Sequence, residues 1–178
     1  FRDRGLEVAF FTEAVDDYVL EGLREYKGKK LIAANRSGIE LEDLPQEGEE
    51  DSLDEKETEG LISWLNSSLE GRVAQVEAGK RLVNHPMVAL LPEDAPNAQM
   101  RAMMEAMGQE APEAKAKLEV NPRHPLIRQL ASIREERGEL ASKVADQLTN
   151  HALLAAGMEV NTADMAEEMA ALIGDLLE

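Results

Sequence analysis

One ten-residue stretch divides this chain. Leu118-Glu119-Val120-Asn121-Pro122-Arg123-His124-Pro125-Leu126-Ile127 separates mixed strands and helices from a last third that reads as helix alone. Asn121 suits a helix N-cap, because its side-chain oxygen can accept from a free first-turn N–H. Pro122 then falls at the first helical position, where a missing N–H costs nothing. Pro125 still lies in the first turn, whose N–H groups have no intrahelical partner. The expected path is extended through Leu118 and Val120, then a sharp turn into a helix starting at Leu126.

Upstream, Gly5 to Phe11 has the β-branched and aromatic character of a buried strand. Thr12 to Tyr26 reads as a helix, with Thr12 as cap and Val15, Tyr18, Val19 and Leu23 at helical spacing. Lys27-Gly28 closes it, and Leu31 to Ala34 is a second short strand, so a β-α-β unit is expected. Glu40 to Glu59 holds eleven Asp/Glu and one Lys, with Pro45 and Gly48 in its first half. It reads as a solvated linker leading into a helix, the other reading being a cation site, although the EF-hand spacing is missing. The helix resumes near Asp54, carries Leu61, Ile62, Leu65 and Leu69 on one face, and ends at Gly71. Val73 to Val76, Met87 to Leu91 and Lys115 to Val120 are strand candidates, with a helical pattern over Asn97 to Met107.

Downstream, Leu126, Leu130 and Ile133 form a first apolar stripe. Leu140, Val144, Leu148 and Ala152 form a second, broken at Gly157. Asn161 or Thr162 caps the last helix, which carries Met165, Met169, Leu172 and Leu176 on one face and Ala166, Ala170, Ile173 and Leu177 on its flank.

Charge and composition narrow the function. The net charge of −17 sets this chain against phosphate backbones and argues against nucleic-acid binding. With no cysteine there is no disulfide framework and no thiolate metal site, which fits a reducing compartment. Aromatics are 3% of residues, so the core must be aliphatic. No apolar run approaches the roughly 20 residues needed to span a bilayer, and no signal peptide is visible. The chain opens at Phe1 almost directly into a strand-like segment, which reads as a fragment of a longer protein. His85, His124 and His151 are isolated, with no H-E-x-x-H spacing, and there is no Gly-rich phosphate loop. The reading is therefore not an enzyme, with no catalytic residues and no metal ligands; the competing class is part of an enzyme whose site other domains complete.

Two features point to binding. Met100, Met103, Met104 and Met107 recur at i, i+3, i+4 and i+7 on a short helix surrounded by Pro92, Pro96, Gly108 and Pro112. Such a stripe is either an ordinary buried face or an exposed surface that adapts to unrelated apolar segments, since methionine is flexible and polarizable. The terminal helices carry an apolar sector wider than a surface helix needs. Either the third helix and the sheet cover it, or a second copy does, making a four-helix bundle from two helices per protomer.

These motifs have a familiar order. Gly5-Leu6-Glu7-Val8, Asp16-Asp17-Tyr18-Val19-Leu20 and Lys27-Gly28-Lys29-Lys30-Leu31 resemble the end of the middle domain of heat shock protein 90 chaperones. The stretch Leu118 to Pro125 resembles the signature of that family's C-terminal domain, and Ala152-Leu153-Leu154-Ala155-Ala156-Gly157 the start of its closing helix–loop–helix. The resemblance implies an α+β chain: residues 1–43 as the end of an α/β middle domain, then residues 44–178 as a small three-stranded sheet with helices and a C-terminal helical dimerisation bundle. It implies a homodimer interface at Leu148, Ala152, Ala155, Met165, Met169, Leu172, Ile173 and Leu176. Unfolded or partly folded client proteins would be held at Met100, Met103, Met104 and Met107 and at the middle-domain position Asp17-Tyr18, where some bacterial members carry Trp. ATP and magnesium would belong to an N-terminal domain absent here, so no cofactor is expected in this stretch. The end Asp175-Leu176-Leu177-Glu178 lacks the eukaryotic Met-Glu-Glu-Val-Asp tail, which implies a bacterial, cytoplasmic form without tetratricopeptide co-chaperone docking. The alternative is a purely structural dimerisation module with no client contact.

Overall fold

The structure is a computed structural model describing residues 1, 5–13, 15–37, 39, 52–92, 95–96, 98–109 and 114–177, with backbone alone at 17, 18, 21, 98, 99 and 102. The acidic linker at 40–51 and the expected boundary at 43/44 lie outside these residues. Helix α1 spans Asp16–Leu23. It starts later than Thr12 because the Asp16 carboxylate accepts from the Glu13 N–H at 2.9 Å, forming a turn before the helix. Strands β1 (Glu25–Tyr26) and β2 (Lys29–Lys30) then form an antiparallel hairpin. Lys27 and Gly28 both have positive φ, 51° and 78°, as a two-residue type I′ turn requires. This corrects the expected β-α-β unit: Gly28 turns a hairpin and does not close a helix. Gly5 to Phe11 and Leu31 to Ala34 are not strands. Their apolar character suits a sheet, but a strand needs a partner ladder, and none of the described residues supplies one. Phe10 is left 88% exposed.

Helix α2 (Glu55–Ser68) begins with a reciprocal capping box between Asp54 and Glu57. It leads into β3 (Gln75–Ala78). Asn66 on α2 both donates to and accepts from the Val76 backbone at 2.9 Å, filling a place a neighbouring strand would otherwise take. Next come β4 (Met87–Leu90), helix α3 (Ala98–Ala106) and β5 (Lys117–Val120). β5 is central, parallel to β3 and antiparallel to β4.

The last third is helical: α4 (Pro125–Ile133), α5 (Gly138–Ala155) and α6 (Thr162–Leu177). Leu61 and Leu65 of α2, Leu69 at its C-cap, Ile127 and Leu130 of α4, and Ala141, Ala145 and Ala152 of α5 pack with Val76, Met87, Ala89, Leu118 and Val120 of the sheet. The buried face of α5 keeps Leu140 and Ala152 of the expected stripe, but Val144 and Leu148 are only partly buried, while Ala141, Ala145 and Thr149 go inside. Small residues there let α5 approach the sheet closely, an advantage that hydrophobicity ranking alone does not register.

The cap of α4 is also corrected. His124 Nδ1 accepts from the Leu126 N–H at 3.2 Å and Pro125 takes the first turn. Asn121 has another task. It is fully buried and donates to the carbonyls of Val83 at 3.2 Å and His85 at 3.3 Å, while its oxygen accepts from the Arg123 N–H. Arg123 in turn donates to the Leu82 carbonyl at 3.0 Å. The dividing stretch thus pins the loop between β3 and β4. Asn121→Ala is expected to cost about 1–3 kcal/mol, since it removes a fully buried amide that holds two loop carbonyls and the Arg123 N–H. Urea unfolding measures this, and a loss below about 0.5 kcal/mol would mean water satisfies those groups.

Candidate interaction surfaces

The methionine helix is tethered by its polar side. Arg101 on α3 donates to the Pro96 carbonyl at 2.9 Å and to the Gly157 carbonyl at 3.2 Å. Gly157 lies in the turn between α5 and α6, where the Gly157 and Met158 N–H groups bond to Leu154 and Leu153 as in a Schellman motif. α3 itself closes the same way, with Gly108 bonding to Glu105 and Gln109 to Met104. Met100, Met103 and Met107 are 42%, 53% and 61% exposed, and Met104 is partly buried. The four share one face, and most of it is open. Asp17 and Tyr18 lie on α1, their side chains outside the described residues. Val15 at the N-cap of that helix, and Val19 and Leu23 on it, are exposed.

The terminal helices are held together by polar pairs along their length. Gln147 donates to Glu168 at 3.0 Å. Lys143 pairs with Asp175 at 2.7 Å and Glu139 at 3.3 Å. Hydrogen bonding to Asp175, then to Glu139, holds the Lys143 ammonium above the usual lysine range. The folded chain thus binds this proton more tightly, so the link persists through neutral pH and is lost as pH rises through the raised value. Leu172 and Ala152 are buried within the protomer, and Leu148, Met165 and Met169 are partly buried. Ala155, Ile173 and Leu176 are exposed, together with Leu154 and Leu177. The eight expected interface residues therefore divide into an inner set that docks α6 on α5 and an outer set that faces away.

Sequence reasoning did not single out Arg101, Arg81 or Leu154. Leu154 continues the apolar run of Leu153 and was legible as part of a wide sector. Nothing local indicates that Arg101 meets Gly157, 56 positions away. His124 caps α4, His151 bonds the Gln147 carbonyl through Nδ1 at 2.7 Å, and His85 is exposed in a loop. Among the described residues no group of three His, Cys, Asp or Glu side chains is placed to hold a metal ion, and no helix is long and apolar enough to cross a membrane.

A family model described as Hsp90 protein matches residues 1–178. The chain belongs to the Hsp90 family. It is 35% identical over 181 residues to the chaperone protein HtpG of Bordetella parapertussis, covering 100% of this chain and 28% of that protein. It is 33% identical over 171 residues to HtpG of Desulfitobacterium hafniense, covering 95% and 28%. With HtpG of Shewanella sediminis the figures are 35% over 137 residues, 76% of this chain and 22% of the relative. This Hsp90-family chain thus spans about a quarter of the length of these relatives.

Proposed function

We propose that this chain is the client-holding and dimerising region of a bacterial chaperone of the HtpG type, working in the cytoplasm. In this reading residues 1–43 end a middle domain and residues 44–178 are the dimerisation domain. The observation that carries it is the exposure of Met100 and Met103 on α3 and of Met107 in the turn that ends it, along one face. An exposed large apolar patch on a folded chain marks an interaction surface, and unbranched thioether side chains can repack against many different apolar segments. The rest of the helix supports this role. Arg101 ties the back of α3 to the α5–α6 turn, so the stripe is displayed from a fixed point beside the helices that would join two copies. ATP and magnesium would act through another domain, and the chemistry of hydrolysis makes no demand on these residues.

The test is replacement of Met103, Met104 and Met107 by Ser. Affinity for an unfolded client is expected to fall about tenfold or more, because three apolar contacts are lost, with stability and oligomeric state unchanged. If the triple variant unfolds instead, the stripe is core. If it binds the client as before, α3 is not the client surface; if the parent chain binds neither an apolar-surface dye nor the client, the chain is a purely structural dimeriser.

A further inference from the structure

The eight methionines of this chain are not equally protected. Met87 in β4 is 6% exposed, and Met104, Met158, Met165 and Met169 are partly buried. The three most open methionines, Met100, Met103 and Met107, lie on one face of α3 and of the turn that ends it. Oxidation of methionine follows access to the sulfur, and it turns a flexible apolar side chain into a strongly polar one. A peroxide reaching this surface would therefore strike the stripe before the core.

We infer that Met100, Met103 and Met107 form a reversible oxidation site, through which hydroperoxides switch the apolar face of α3 between a sticky and a wetted state. The inference rests on the client-holding reading of the same face. In each step the thioether sulfur donates its lone pair to one oxygen of a hydroperoxide. A sulfur–oxygen bond forms and the oxygen–oxygen bond breaks. Sulfur loses two electrons, and the departing oxygen leaves with a proton as water or alcohol. Return requires a dithiol reductant, which takes the sulfoxide oxygen off as water and becomes a disulfide; one reductase acts on each sulfoxide epimer. The fold suits a switch over a lesion. Oxidation at solvent-facing positions puts no dipole into the core, whereas the buried Met87 packs among Val76, Leu118 and Val120. The Arg101 tether to Pro96 and Gly157 uses only backbone carbonyls, so it survives when the sulfurs change.

The experiment is a hydrogen peroxide titration of the 178-residue chain, with peptide mapping by mass spectrometry and binding of labelled, reduced and carboxymethylated α-lactalbumin as the client probe. Met100, Met103 and Met107 are expected to oxidise first and Met87 last. Client affinity should drop about tenfold as the stripe gains three dipoles and return after treatment with both methionine sulfoxide reductases. The variant Met100→Leu, Met103→Leu, Met107→Leu removes the oxidisable sulfurs, so whatever client affinity it has should not change with peroxide. Equal oxidation of Met87 and the stripe overturns the inference, as does peroxide sensitivity retained in the leucine variant. Stripe oxidation with undiminished binding overturns the switch but leaves client holding in place. Failure of the unoxidised chain to bind the probe overturns client holding and the switch with it, a result distinct from binding that peroxide does not diminish.

Discussion

Arg81→Met is expected to lower the unfolding free energy by about 3–5 kcal/mol, because it leaves a buried carboxylate without its cation. Arg81 Nε lies 2.8 Å from Glu119 Oε2, with both side chains under 10% exposed. Glu119 sits on the central strand β5 and points away from the apolar core formed by Leu118 and Val120. It can do so because Gly79 passes over it: a Cβ on Gly79 would come within 2.7 Å of the Glu119 Cβ. The same guanidinium donates to the carbonyls of Ala34 at 3.3 Å and Arg36 at 3.4 Å. Arg36 then donates to Pro92 at 2.8 Å and Ala95 at 2.9 Å, and Ser37 and Leu91 bond across a short parallel bridge. Two arginines thus register the segment after the β1–β2 hairpin on the edge of the three-stranded sheet. Loss of Arg81 should release that segment as well as destabilise the sheet. Urea unfolding measures the first effect, and amide exchange at Ser37 and Leu91 measures the second. The double variant Arg81→Met, Glu119→Leu should recover a large part of the loss, since the unpaired charge is then gone. A cost below about 1 kcal/mol for Arg81→Met alone would mean that water already reaches Glu119 and the pair is not buried in solution.

That junction also shows where reading from sequence stops. Helices α2, α3, α5 and α6 and the three strands of the sheet were legible, because their apolar periods and their Pro and Gly punctuation are local signals. The order β3-β5-β4 was not, since it is decided by pairing across 42 positions, as between Gln75 and Lys117. Gly5 to Phe11 has the composition of a strand, yet composition records affinity for a sheet and not the presence of a partner. Asn121 has the chemistry of a cap, but its side chain is claimed by Val83 and His85 of a distant loop, and His124 caps the helix instead. The methionine stripe was visible by spacing. Whether it was core or surface was not, because the same i, i+3, i+4, i+7 pattern serves both.

Ile173→Asp is expected to raise the dimer dissociation constant by a factor on the order of 10³ or more. In a twofold interface each substitution occurs twice, and each carboxylate would lose several kcal/mol of solvation without a partner. Ile173 is the better probe than Leu172, although both are on α6. Leu172 is 7% exposed, so a charge there would also undo the docking of α6 on α5. Ile173 is 51% exposed, as open as Leu176 at 58%, so its replacement should leave the protomer intact. Sedimentation equilibrium of the parent chain should give twice the chain mass of 19.6 kDa at low micromolar concentration. The variant should give the single mass with an unchanged far-ultraviolet circular dichroism spectrum. A variant that stays dimeric would move the interface away from the outer face of α6. A parent that is monomeric throughout would mean that Ile173, Leu176 and Leu177 face solvent in the working protein, and the methionine face of α3 would then have to act from one arm alone.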